Sequence, residues 1–155
     1  MPISQTQLVQ ELFDILDETF EQHHGIYLDK GTSLFETLET IDSRQASQPV
    51  SATCASIAAQ VAHVTFYLEV LERYIFANDT SKADWGYIWR TVRDVTPAEW
   101  DQLKANLQQT YRRIMATFQD TSTWESDPHL SGALAIAIHT AYHLGEIRQA
   151  LCTIK

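Results

Sequence analysis

From residue 133 to residue 138 the chain reads Ala-Leu-Ala-Ile-Ala-Ile, six consecutive apolar residues inside a longer stretch with helical spacing. A helix built on such a run is expected to have no solvent face there, so the sequence places it at the centre of the molecule. No segment alternates apolar and polar residues with β-branched enrichment, as a half-buried strand would. Helices dominate, and the rest of the chain must be arranged around this one.

Residues 4–22 put Leu8, Leu12, Phe13, Ile15, Leu16 and Phe20 near one face, with Glu11, Asp14, Asp17, Glu18 and Glu21 largely opposite. Ser4 with Gln7 fits a capping box, and Gly25 after His23 and His24 fits a helix stop. A polar connection occupies 23–52, where Ser33 and Glu36 start a short helix striped by Leu34, Leu38 and Ile41, before Pro49 breaks the chain. A second long helix is predicted from about Thr53 to Phe76, closed by Asn78-Asp79. After an aromatic connection over 79–95, Thr96-Pro97-Ala98-Glu99 begins a third helix that runs to about Phe118. Asp127-Pro128 opens the fourth in the same way, and it continues almost to Lys155. The 155 residues suit one domain. The predicted fold is all-α, an antiparallel four-helix bundle whose long 23–52 connection permits a crossover between helices one and two.

A formal net charge of -9, with Lys and Arg scattered among acids, repels phosphate backbones and excludes nucleic acid as a partner. No apolar run approaches the ~20 residues that span a bilayer. Met1-Pro2-Ile3-Ser4-Gln5 lacks the basic start and apolar core of a signal peptide. Cys54 and Cys152 are too far apart in sequence to make a disulfide framework and read as ordinary helix residues. The expected location is the cytoplasm.

Chemistry concentrates on the fourth helix, where His139 and His143 lie four apart and therefore on one side, one turn from each other. Two imidazoles in an apolar setting are costly unless their nitrogens find partners, and a metal ion satisfies both. The i, i+4 spacing is the one that helical metalloprotease motifs use. His63, within Ala58-Ala59-Gln60-Val61-Ala62-His63-Val64, is the third candidate, because small neighbours let facing helices approach closely. Three neutral imidazoles leave coordination positions open, which is the mark of a catalytic rather than a structural site. The plain alternative is a set of satisfied core histidines.

Glu146, three residues after His143, either orients a ligand, acts as a base, or is solvated as the helix leaves the core. Gln60 and Tyr67 share the His63 side of helix two, as supports of the site or as packing. His23 and His24 suit a helix C-terminus, and His129 reads as surface. Trp85, Trp89 and Trp100 read as core or lid aromatics. Haem is excluded, since ligands one turn apart on one helix cannot occupy opposite faces of a porphyrin.

Four stretches together resemble the DinB-like (YfiT-like) superfamily of metal-dependent enzymes: Gly31-Thr32-Ser33-Leu34, Ser56 to His63, Thr96-Pro97-Ala98-Glu99-Trp100, and His139-Thr140-Ala141-Tyr142-His143-Leu144-Gly145-Glu146-Ile147. The resemblance spans nearly the whole chain. It implies an antiparallel four-helix bundle that forms a homodimer, with a three-histidine site on His63, His139 and His143 holding nickel or zinc. Glu146 departs from the family, which commonly has Gln there. Relatives of this kind include S-transferases that use a low-molecular-weight thiol, a thiol-dependent isomerase, and hydrolases. The implied reading is therefore a metal-dependent enzyme acting on a small-molecule substrate. The alternative is a non-catalytic, stress-related or partner-binding bundle whose metal site is structural or vestigial.

Overall fold

The computed structural model describes residues 2–120, 124 and 127–154. Among these residues every regular element is a helix: α1 (Gln5–Phe20), α2 (Leu34–Glu39), α3 (Ser43–Ser47), α4 (Ile57–Ala77), α5 (Tyr87–Thr91), α6 (Pro97–Asp120) and α7 (Asp127–Thr153). None of the described helices is long and apolar enough to cross a membrane.

Side-chain caps fix most of the boundaries. The Ser4 hydroxyl accepts from the Gln7 amide at 3.2 Å, while Gln7 Oε1 accepts from the Ser4 amide at 3.1 Å, the reciprocal box expected of this pair. Thr96 and Glu99 do the same for α6, with 2.7 Å from the Thr96 amide to Glu99 Oε2. α4 begins later than predicted, because the Ser56 hydroxyl caps the Ala59 amide and residues 51–54 close a turn of their own. It ends as expected at Asn78, which takes up the left-handed conformation (φ 52°). Two short helices were not anticipated. α3 is capped by Asp42, whose carboxylate accepts from the Gln45 amide at 2.8 Å; α5 carries the aromatics of the 79–95 connection. The capping expected of the Asp127 side chain lies outside the described residues, while α7 ends at Thr153, close to the end of the chain as expected.

The core gathers one face from each long helix, including Leu12, Leu16 and Phe20 of α1, Val61, Val64 and Leu68 of α4, Leu107, Ile114 and Phe118 of α6, and Ala133, Ile136, Leu144 and Ile147 of α7. α4 packs against both α6 and α7, and α1 packs against α7. Phe20 stacks on Tyr111 at 4.1 Å, tying α1 to α6. Trp100 is buried and donates its indole N–H to the Ile41 carbonyl at 2.7 Å, so it is a core residue.

Three expectations require correction. α7 does have a solvent face across its apolar run: Leu134 is 43% exposed, Ile138 69% and, one turn on, Tyr142 62%. An all-apolar run forbids a polar face, but it does not forbid an apolar one. Glu18, expected among the exposed acids of α1, is wholly buried; its carboxylate accepts backbone N–H bonds from Gly25, Ile26, Tyr27 and Leu28. Burial acts to raise its pKa, and the four amides more than offset this, so the carboxyl is held below its ordinary value. His129, expected on the surface, instead packs 5.8 Å from Phe76 and 6.3 Å from Trp124.

Candidate metal centre

Small residues let α4 and α7 come together at the histidines. Ala58, Ala59 and Ala62 of α4 and Ala133 and Ala137 of α7 are all buried. Across this narrow seam His63 meets His139 and His143: each offers one nitrogen, and the three nitrogens lie within 4.8 Å of one another. The Nε2 atoms of His63 and His139 are 3.3 Å apart. His63 and His143 are buried and His139 is partly so. The three residues singled out on sequence spacing are the three that converge.

Each ring is held differently. His143 Nδ1 donates to Glu146 Oε2 at 3.0 Å, and Gln60 Oε1 lies 3.3 Å from the same nitrogen. Glu146 Oε1 in turn accepts from the Tyr142 hydroxyl at 2.8 Å. Both oxygens beside Nδ1 are acceptors, so the proton sits there and Nε2 carries the free lone pair. His63 stacks beneath Trp89 of α5 (4.3 Å between centroids, 29° between planes). His139 lies flat on Tyr67 (3.6 Å, 7°). The Nδ1 atoms of His63 and His139 are buried and have no hydrogen-bond partner among the described residues.

The rings are neutral at ordinary pH. Burial, then the charge of His143, holds His63 down to about 4. Burial, then the like charges of His143 and His63, holds His139 down to about 3. Burial lowers His143 as well, against the opposing pull of Glu146. Neutral imidazole is the metal-binding form. A cluster that resists protonation and brings one nitrogen of each ring within 4.8 Å of the others could hold a divalent cation.

The chain matches no family model, no curated protein and no solved structure.

A cavity of about 840 Å³ opens beside the histidines. His63, His143, Gln60, Glu146, Gln149 and Thr153 are among its polar lining, and Trp89, Tyr142, Val50, Ala55 and Ala150 add apolar surface. Cys54 also lines it, exposed in the turn before α4 rather than within a helix, which corrects the reading of this cysteine. Cys152 is on α7 as expected and exposed. His23 and His24 stand apart from the site, exposed beyond the end of α1, where His24 pairs with Asp17.

Trp89 is the site residue that spacing alone did not single out. It reaches His63 because α5 packs on α4, where the Ser56 hydroxyl donates to the Arg93 carbonyl at 3.4 Å, while Asp84 and Arg90 pair at 2.5 Å within the segment. Its only sequence signal is the aromatic density of a connection that needed none to be a loop. Trp85 stays on the outside, 45% exposed and 5.8 Å from Tyr67.

Proposed function

We propose that this protein is a metal-dependent enzyme of the DinB-like kind, in which His63, His139 and His143 hold one divalent ion at the end of a small-molecule cavity. The observation that carries the reading is the convergence of three neutral imidazole nitrogens beside an open cavity, with no fourth His, Cys, Asp or Glu joining the cluster among the described residues. Three ligands leave positions free for reactants. Imidazole ligands suit zinc, nickel, copper and iron alike, and nickel or zinc is proposed on the family resemblance.

Bound there, such an ion supplies Lewis acidity and lowers the pKa of a thiol or water presented by the cavity. The chain's own residues do the positioning. Glu146 and Gln60 fix the His143 ring through Nδ1, so Glu146 acts through a ligand rather than on the reactants. The apolar wall excludes water from one side of the reacting centre, and Trp89 covers His63. A low-molecular-weight thiol is the proposed co-substrate, on the resemblance to DinB-like S-transferases, and the cavity beside the histidines is where it would bind.

The bundle arrangement is part of this proposal. His63 faces His139 and His143 while Ile75 faces Gly132, which supports opposite directions for α4 and α7. Phe20 on Tyr111 and Glu21 near Arg112, together with the Phe13–Trp124–Phe118 aromatic chain, support opposite directions for α1 and α6. Leu134, Ile138 and Tyr142 at i, i+4 and i+8 give α7 an exposed apolar stripe that suits pairing with a second copy of the chain.

The test is a panel of low-molecular-weight thiols titrated into the cobalt-substituted protein. A change in the visible spectrum with one or more of them, absent in His143→Ala, supports the enzyme. Strong stabilisation by metal with no thiol response favours the structural role instead.

A further inference from the structure

Metal-ligating histidines ordinarily give their second nitrogen to a carboxylate, carbonyl or water, which fixes the plane of the ring. Among the described residues only His143 does so, through Glu146 and Gln60. His63 and His139 have their Nδ1 atoms buried with no acceptor among the described residues, although a neutral ring that offers Nε2 to a metal must carry its proton on Nδ1. What each of these two rings has instead is a flat aromatic neighbour. Trp89 lies over His63 at 4.3 Å and 29°, and Tyr67 lies over His139 at 3.6 Å and 7°.

We infer that Trp89 and Tyr67 are the positioning residues of the metal centre, holding His63 and His139 by ring stacking in the place that hydrogen bonds hold His143. The inference rests on the metal reading above. It assigns a role in that site to two half-buried aromatics that stand outside the packed core.

The placement has a structural logic. Tyr67 follows His63 by one turn on α4, so its ring projects on the same side and reaches across the seam to the opposite ligand, His139. Trp89 comes from the separate α5 segment and closes over His63 from outside. A stacked partner restricts a ring's tilt but leaves it free to slide in its own plane, and it adds no electron density through Nδ1. Two of the three ligands are therefore less basic donors than a hydrogen-bonded imidazole would be. The centre should hold its ion less tightly, and leave it a stronger Lewis acid, than one with three hydrogen-bonded histidines.

The experiment uses cobalt(II), alone, as probe in the full chain. Trp89→Leu and Tyr67→Leu keep apolar bulk but remove the flat ring; Trp89→Phe and Tyr67→Phe keep a ring, the latter without its hydroxyl. Cobalt affinity by chelator competition and the visible absorption of the bound ion are compared for all four. Each leucine variant is expected to lose about ten-fold in affinity or more, on the scale of removing an outer partner of a ligand, and to change the absorption bands. The phenylalanine variants are expected to recover both. Circular dichroism of the metal-free forms separates this from misfolding. Should a leucine variant not fold, tryptophan emission decides: cobalt quenching in the wild type is expected to fall sharply in Trp89→Phe, which removes the indole nearest the ion. Wild-type affinity and spectra in both leucine variants overturn this inference while leaving the metal centre standing. Failure of the wild type to bind one cobalt per chain overturns both.

Discussion

Glu146 and His143 are joined across one turn of α7, with the carboxylate Oε2 3.0 Å from Nδ1 of the ring. The contact decides which nitrogen of His143 is free and in which direction it points. Its removal should be felt by the ion rather than by the fold. Glu146→Ala is expected to weaken metal binding by about 10- to 100-fold, and Glu146→Gln, which keeps an acceptor, by less. Competition with a chromophoric chelator measures both. Unchanged affinity in Glu146→Ala would detach this residue from the site.

Acid should unfold the metal-free protein through the same rings. His63 and His139 titrate near 4 and 3 in the fold against 6.5 when unfolded, so the unfolded chain binds more protons between those limits. Their contribution is intact above pH 6.5 and is lost as the pH falls towards 4, by up to about 1.4 kcal/mol per pH unit for each ring, less for the more exposed His139. His24, raised by its bond to Asp17, works with the opposite sign, its contribution present below 6.5 and lost as the pH rises through the raised value; it sits on the surface. Urea unfolding at pH 7 and pH 5 gives the difference. A flat profile in the wild type, or an equally steep one in the double variant His63→Ala/His139→Ala, contradicts the assignment.

Gly132 of α7 packs directly against Ile75 of α4. A Cβ there would stand 2.2 Å from Cδ1 and 2.7 Å from Cγ1 of the buried Ile75. Gly132→Ala is expected to cost about 1–3 kcal/mol by overpacking, despite a gain of roughly 1 kcal/mol in helix propensity. Ile75→Val removes the nearer atom, so the double variant should be more stable than the two single losses sum to. Denaturant midpoints for the three proteins provide the comparison.

Glu18 closes the loop after α1 by accepting from four backbone amides. Glu18→Ala leaves those amides without their acceptor in a buried place. A loss of about 2–3 kcal/mol follows from breaking hydrogen bonds to a charged group. Thermal unfolding tests it, and a loss below about 0.5 kcal/mol, the usual range for surface changes, would place the carboxylate in solvent after all.

Much of this could be read from the chain because local chemistry decides it. Ser4 with Gln7 and Thr96 with Glu99 satisfy helix-end amides by themselves, and His139 with His143 share a face through helical geometry alone. His63 was identifiable from its small neighbours, which only matter if another helix comes close. Other features depend on partners distant in sequence. Nothing near Glu18 announces that residues 25–28 fold back over it. Nothing in Leu134 or Ile138 distinguishes an apolar residue facing the core from one facing outward, since periodicity vanishes in a run that is apolar throughout. Trp89 meets His63 because α5 packs against α4, beside the bond from Ser56 to the Arg93 carbonyl.

The central claim is that one divalent ion sits between His63, His139 and His143. Anomalous scattering from crystals grown with nickel or zinc, collected on either side of the metal's absorption edge, tests it directly. The account predicts a single peak between α4 and α7, about 2.0–2.1 Å from one nitrogen of each ring. Absence of a peak there, or three imidazoles turned away from a shared point, contradicts it.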